Sequence, residues 1–122
     1  MARIYKERGE TGVFEVRETA VTVSAAEAAP SSNTDGTDCQ GFNTAAVSIH
    51  TLTGSPTYSL DVWLYTGAVW VQASGGSGAP AAFADLTNTF GQIFNIAGFD
   101  RVFVRVSALD TGSVDRSYTF VG

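Results

Sequence analysis

One histidine, one cysteine and a scatter of carboxylates are the residues from which this chain could build chemistry. His50 is the natural base for a Ser-His-Asp arrangement, in which an imidazole takes the proton of a serine nucleophile. No Gly-x-Ser-x-Gly turn accompanies it, so it reads as a polar residue on the outer face of a strand. Cys39 sits in Asp-Gly-Thr-Asp-Cys-Gln-Gly, residues 35–41. A closed zinc site needs about four Cys or His ligands, and no basic neighbour in sequence depresses the thiol's pKa. It reads as an ordinary loop cysteine. Asn33, Asp35 and Asp38 space oxygen ligands as half of a calcium loop does, but the distal Glu is missing: counting from Ser31, its place is held by Phe42. Gly75-Gly76-Ser77-Gly78 lacks the Lys-Ser/Thr that makes a phosphate cradle. Asp61 with Asp100, or Asp110 with Asp115, would serve as a glycosidase pair only at a fixed separation across a cleft. The residues therefore predict no catalytic site, no cofactor and no metal, and a non-enzymatic chain.

The elements that must position these side chains are strands. Tyr58 to Gln72 is the clearest hairpin. Tyr58, Leu60, Val62 and Leu64 share one face, and Ser59, Asp61, Trp63 and Tyr65 share the other. Thr66-Gly67 makes the turn, and Val69 and Val71 resume the apolar face. Residues 13–25 alternate with a change of phase near Glu18–Ala20, where a bulge, a bend or a turn divides the run. Residues 42–52 place Ala45, Val47 and Ile49 on one face. Residues 99–108 place Val102, Val104 and Val106 inward, with Arg101, Phe103 and Arg105 outward. Residues 88–97 form another strand, and Gly91 suggests a bulge there. A closing strand follows Asp110-Thr111-Gly112. Residues 26–41 are a long, turn-rich loop. Pro80 to Leu86 predicts one helical turn. About eight short strands without a real helix predict a single antiparallel β-sandwich, jelly-roll-like, with jelly-roll and immunoglobulin-like strand orders both compatible with the pattern and a barrel as the alternative closure. Residues 1–12 read as an extended N-terminal arm with a short strand around Ile4-Tyr5, and residues 13–122 as the sandwich domain.

Composition narrows the partners. The 122 residues fit one domain, 44% are hydrophobic, and 16% are charged where about 25% is usual. The remaining surface is Thr, Ser, Gly, Ala and Asn, which suits close assembly. A net charge of −5 disfavours a nucleic-acid partner. No apolar run reaches the length that spans a membrane, and the start lacks the apolar region of a signal peptide. The expectation is a chain made and used from the cytoplasm. Three of the seven basic residues, Arg3, Lys6 and Arg8, fall in the arm, which points to docking on something negative, such as a neighbouring copy. If the aliphatic faces form the core, Trp63, Tyr65 and Phe103 point outward with Arg101 and Arg105 beside them. Aromatics and arginines of this kind anchor interfaces, unless a loop of the same chain covers them.

The charged arm, the Thr/Ser/Gly/Ala-rich body and the segments AAVSIHTL, YSLDVWLYTGAVWVQ and FDRVFVRVSA together resemble the small β-sandwich virion proteins of tailed bacteriophages, of the head decoration, cement or tail accessory type. That resemblance covers most of residues 40–122 and implies a non-enzymatic structural role on the virion, assembled in the host cytoplasm. It further implies a dimer or trimer that contacts the major capsid protein or another virion protein. Interface residues would be Arg3, Lys6, Arg8, Trp63, Tyr65, Arg101, Phe103 and Arg105. The alternative is a carbohydrate- or receptor-binding module of a tail fibre, in which Trp63 and Tyr65 stack on sugar rings and the 31–39 loop holds calcium.

Overall fold

Period-two alternation of β-branched and small polar residues is what the backbone expresses. The structure is a computed structural model that describes residues 3–8, 13–74 and 81–122, with side chains from Glu15 onward. Its elements are all strands: β1 Arg3–Arg8, β2 Val13–Glu18, β3 Val21–Val23, β4 Thr37–Asp38, β5 Thr44–Thr53, β6 Tyr58–Tyr65, β7 Trp70–Gln72, β8 Ala82–Leu86, β9 Phe90–Asn95, β10 Arg101–Leu109 and β11 Ser113–Val121.

Two antiparallel sheets result. The first runs β1-β2-β11-β5-β9, with β3 also on β11; the second runs β4-β10-β6-β7, with β8 also on β6. β2 and β3 pair with successive stretches of β11, so they are one strand interrupted at Thr19-Ala20. β7 and β8 likewise pair with successive stretches of β6, interrupted between Gln72 and Ala82. With each broken strand counted once and β1 set aside, the sheet orders become first-eighth-third-sixth and second-seventh-fourth-fifth. That is a long hairpin rolled up on itself, the jelly roll. The sequence pattern left jelly roll and immunoglobulin-like orders open; the pairing of β11 with both β2 and β5 decides for the first.

The interior follows the alternation. Ala45, Val47 and Ile49 from β5, Tyr58, Leu60, Val62 and Leu64 from β6, Val102, Val104 and Val106 from β10, and Val114, Tyr118 and Phe120 from β11 are all buried. Phe120 is stacked between Tyr118, 5.7 Å away, and Phe42, 5.9 Å away. Burial of each such side chain is worth about 1.5–3 kcal/mol. Cys39 is part of this core, fully buried, with its Sγ donating to the Phe99 carbonyl at 3.6 Å. It lies in the loop after β4, as its sequence context suggests, but its thiol is packed into the core. Gly112 closes the β10–β11 turn at φ 67°, where a Cβ would lie 1.9 Å from the Thr53 carbonyl oxygen.

Several local expectations need correction. The helical turn expected from Pro80 to Leu86 is not formed by its described part: Ala82–Leu86 is strand β8, because β6 offers it a ladder that outweighs a weak helical preference. Residues 75–80 lie outside the described residues. Gly91 makes no bulge, since β9 pairs with β5 in unbroken register from Thr44 to Ile49. The register shifts fall instead at Tyr58/Leu60, Val106/Ala108 and Ser113/Asp115. Val69 and Val71 do not join the core, being 58% and 38% exposed. Val71 does share the face of Leu64 by register, but β7 is the end of its sheet. Residues 3–8 extend the strand expected around Ile4-Tyr5 and pair with β2, placing Arg3 opposite Glu18 and Lys6 opposite Glu15. The side chains of Arg3, Lys6 and Arg8, and the arm boundary at residue 12, lie outside the described residues.

Phe120→Ala is expected to lower unfolding stability by about 3–5 kcal/mol in urea titration, whereas Val69→Ala, 58% exposed, should stay within about 0.5 kcal/mol. Equal effects of the two would contradict this placement of the core.

Candidate functional site

The outer face of the second sheet carries the outward aromatics and arginines. Cross-strand register sets Tyr65 opposite Arg101, Trp63 opposite Phe103 and Asp61 opposite Arg105. All are half-buried except Asp61, which is only 7% exposed. Its carboxylate is the hub of this face. It accepts from Trp63 Nε1 at 2.9 Å, from Arg105 Nε at 2.9 Å and from Arg105 Nη2 at 2.5 Å. The Asp61 hydrogen bonds raise the Arg105 pKa further. Trp70 of β7 adds a second indole beside Tyr65, ring centroids 5.2 Å apart. Asp61 and Trp70 were not among the interface candidates; the outward parity of Asp61 with Trp63 was the signal available.

The 31–36 loop covers one end of this face. Arg101 is turned into it, donating from Nε to the Asp35 carbonyl at 2.7 Å and from Nη2 to the carbonyls of Gly36 at 3.1 Å and Thr34 at 3.4 Å. Trp70 Nε1 donates to the Ser32 carbonyl at 2.8 Å. Gly36 is required where the loop meets the sheet: at φ 65° its Cβ would lie 2.5 Å from the Val102 carbonyl oxygen and 2.9 Å from the Trp70 ring. Asp35 folds the loop by accepting the Ser31 and Ser32 amides at 2.8 and 2.9 Å, and those bonds lower its pKa. Two of the three residues that half of a calcium loop would offer, Asp35 and Asp38, thus accept from the chain's own amides. Of the five candidates here, Arg101 is committed to this loop, and Phe103 has Gly36 against its Cβ.

A second cluster lies where the sheet runs short of strand. β4 pairs only with Arg101 and Val102, which leaves the next stretch of the β10 edge without a strand. Side chains take over. Tyr118 Oη accepts the Val104 amide at 2.8 Å, and Arg116 Nη1 donates to the Val104 carbonyl at 3.1 Å. Glu27 Oε1 accepts the Val106 amide at 3.0 Å, and the Glu27 amide donates to the Val106 carbonyl at 2.8 Å. Glu27 and Arg116 form an ion pair at 2.5 Å, with the guanidinium 5.2 Å from the Phe103 ring. Arg116 is 8% exposed. Burial raises the Tyr118 pKa, so the hydroxyl stays protonated at neutral pH. No local motif announces this cluster, because its members are 79 and 89 residues apart.

On the outer face of the first sheet His50 meets Ser117, Nε2 to Oγ 2.7 Å, while Nδ1 lies 2.9 Å from Thr51 Oγ1. Thr51 sits at φ 50°. Asp115 stands opposite His50 in register, but its carboxylate accepts the Thr22 hydroxyl at 2.7 Å. A triad needs that acid on the second imidazole nitrogen; a threonine hydroxyl holds it instead. Among the described residues no group of three or more His, Cys, Asp or Glu could hold a metal ion.

No protein-family model matches the sequence, and no curated protein matches it. Among solved structures the fold is similar to that of the SPBc2 prophage-derived protein YomS, with a TM-score of 0.54 at 20% identity over 87% of this chain and 95% of that one. The K1 cleaved adhesin domain of Lys-gingipain from Porphyromonas gingivalis W83 gives 0.44 at 9% identity over 98% and 72%. A Bacillus endospore appendage protein of disulfide-linked pili gives 0.37 at 19% identity over 88% and 87%. The first likeness is one of fold, and the other two are too distant to carry an argument.

Glu27→Gln keeps an acceptor for Val106 but leaves the buried Arg116 charge uncompensated, so a loss of about 3 kcal/mol is expected in denaturant titration; a loss under about 0.5 kcal/mol would mean the pair does not hold this edge. Because the folded Asp35 pKa is depressed, its contribution to stability is present above the unfolded value of about 3.9 and disappears as pH falls through the folded pKa. Carboxyl-carbon NMR titration should place the Asp35 midpoint below about 3.9, and a midpoint at or above it would contradict the capping role.

Proposed function

We propose that this chain is a non-enzymatic structural protein of a bacteriophage particle, of the decoration or cement type, that strengthens contacts between capsomers. The observation that carries the reading is the jelly roll itself, shared with a prophage-derived protein over nearly the full length of both chains. The partner is the major capsid protein or another virion protein, and the site of action is the particle. Trp63, Tyr65 and Arg105 supply the contact. They are half-buried on one face, and two of them, Trp63 and Arg105, are held in place by Asp61. An aromatic side chain pre-set in this way loses little rotamer freedom on binding. Apolar burial across subunit boundaries then slows separation of capsomers.

The tail-fibre, carbohydrate-binding reading draws on the same aromatics. Its calcium component gains nothing from the 31–39 loop, where Asp35 and Asp38 accept backbone amides and the Asp35 and Gly36 carbonyls accept from Arg101.

The test is mass spectrometry of purified particles of the phage that encodes the chain, followed by deletion of the gene. The chain should be present in stoichiometric amount, and particles lacking it should assemble but release DNA at lower temperature, with resistance restored by adding the purified chain. Its absence from particles, or heat resistance unchanged by deletion, would refute the proposal.

A further inference from the structure

Charge is distributed very unevenly over this fold. Between Val62 and Phe99 the only charged residue is Asp85, although the whole chain holds 7 basic and 12 acidic residues. That segment builds the end of β6, then β7, β8 and β9. These strands form one side of the sandwich: β9 ends the first sheet, β7 and β8 line the end of the second, and Phe83 of β8 meets Phe90 of β9 across the gap, ring centroids 4.8 Å apart. The exposed large apolar residues among those described, Val69, Val71 and Ile93, all lie on this side.

The other sheet edges are managed. β1, at the far end of the first sheet, carries four charged residues in six, Arg-Ile-Tyr-Lys-Glu-Arg, a usual defence against strand addition. The β10 edge beyond β4 is closed by Glu27, Arg116 and Tyr118. The β7–β8 edge is interrupted between Gln72 and Ala82. β9, Phe-Gly-Gln-Ile-Phe-Asn, has no charge, no proline and no bulge. The Ile96 amide donates to the Asn43 carbonyl. By the antiparallel alternation, Gly91, Ile93 and Asn95 then direct their amides and carbonyls away from β5. Among the described residues the Ile93 carbonyl is met only by the side chain of Gln92, at 3.2 Å.

We infer that β9 pairs antiparallel with β9 of a second copy of this chain, continuing the first sheet across a two-fold axis at Ile93. The charge pattern selects a second copy. Two chains of net charge −5 repel over most approaches, and this side lets them meet without opposing like charges. The register is self-complementary: Ile93 faces Ile93 of the second copy, and Gly91 faces its Asn95. Every outward amide and carbonyl of β9 then gains a partner, and two exposed isoleucines cover one another. Self-pairing of this kind does not depend on the chain belonging to a phage particle.

Sedimentation velocity of the full-length chain over a concentration series should show a dimer, and Ile93→Lys should abolish it while leaving the circular dichroism spectrum unchanged. Ile93→Cys should form a covalent dimer under mild oxidation, since directly opposed residues fall within disulfide span and Cys39 is buried. A chain that stays monomeric throughout, an oligomer that survives Ile93→Lys, or failure of Ile93→Cys to cross-link would each overturn the inference; a monomer that captured another protein on β9 would overturn it too.

Discussion

An unpaired backbone amide or carbonyl at a sheet edge must find a partner or face water, and that requirement shapes this sandwich. It is most acute at β10. This strand lies between a full-length neighbour, β6, and one of only two residues, β4. Its core-facing valines are buried, so the amides of Val104 and Val106 cannot be left without acceptors. Tyr118, Glu27 and Arg116 supply what the missing strand would have supplied. Two of the three come from the opposite sheet, so closing the edge also bolts the two sheets together. Glu27 in addition ties its own backbone to Val106, and the 31–36 loop further on meets Arg101 and Trp70.

The cost of this solution is a partly buried ion pair. Such a pair repays its desolvation only when its remaining groups are well bonded. Glu27 Oε1 serves Arg116 and the Val106 amide together, and Arg116 also donates to the Val104 carbonyl, while its buried Nε has no hydrogen-bond partner among the described residues. Asp61 repeats the device on the outer face, with one carboxylate orienting Arg105 and Trp63. In both places a carboxylate fixes an arginine, and Asp61 also holds the indole of Trp63. Charge is concentrated where the fold needs fixing and is nearly absent from the β7–β9 side.

Much of the fold was legible because strand alternation is a local property. The faces of β5, β6 and β10 follow from sequence parity alone. The arrangement of those strands was not, since jelly-roll and immunoglobulin-like orders use similar strand lengths and differ only in long-range pairing. Ala82–Leu86 was misjudged because proline followed by alanines has a helical character that the β6 ladder overrides. The outward placement of Trp63 and Phe103 was readable; that residues 31–36 would fold back over Arg101 was not, because it turns on Gly36 and on a guanidinium reaching loop carbonyls 65 to 67 residues away. The Glu27–Arg116–Tyr118 cluster left no trace in local spacing. Only the question of which edge strand lacks a partner leads to it.

Residue-resolved amide hydrogen exchange tests that account most directly, because it reads each edge amide separately. If side chains close the β10 edge, Val104 and Val106 will exchange as slowly as Asp61 and Trp63, whose amides face β10 in the centre of the sheet, and only through global unfolding. If Val104 and Val106 exchange orders of magnitude faster than those central amides, the edge is open, and Tyr118, Glu27 and Arg116 do not hold the two sheets together.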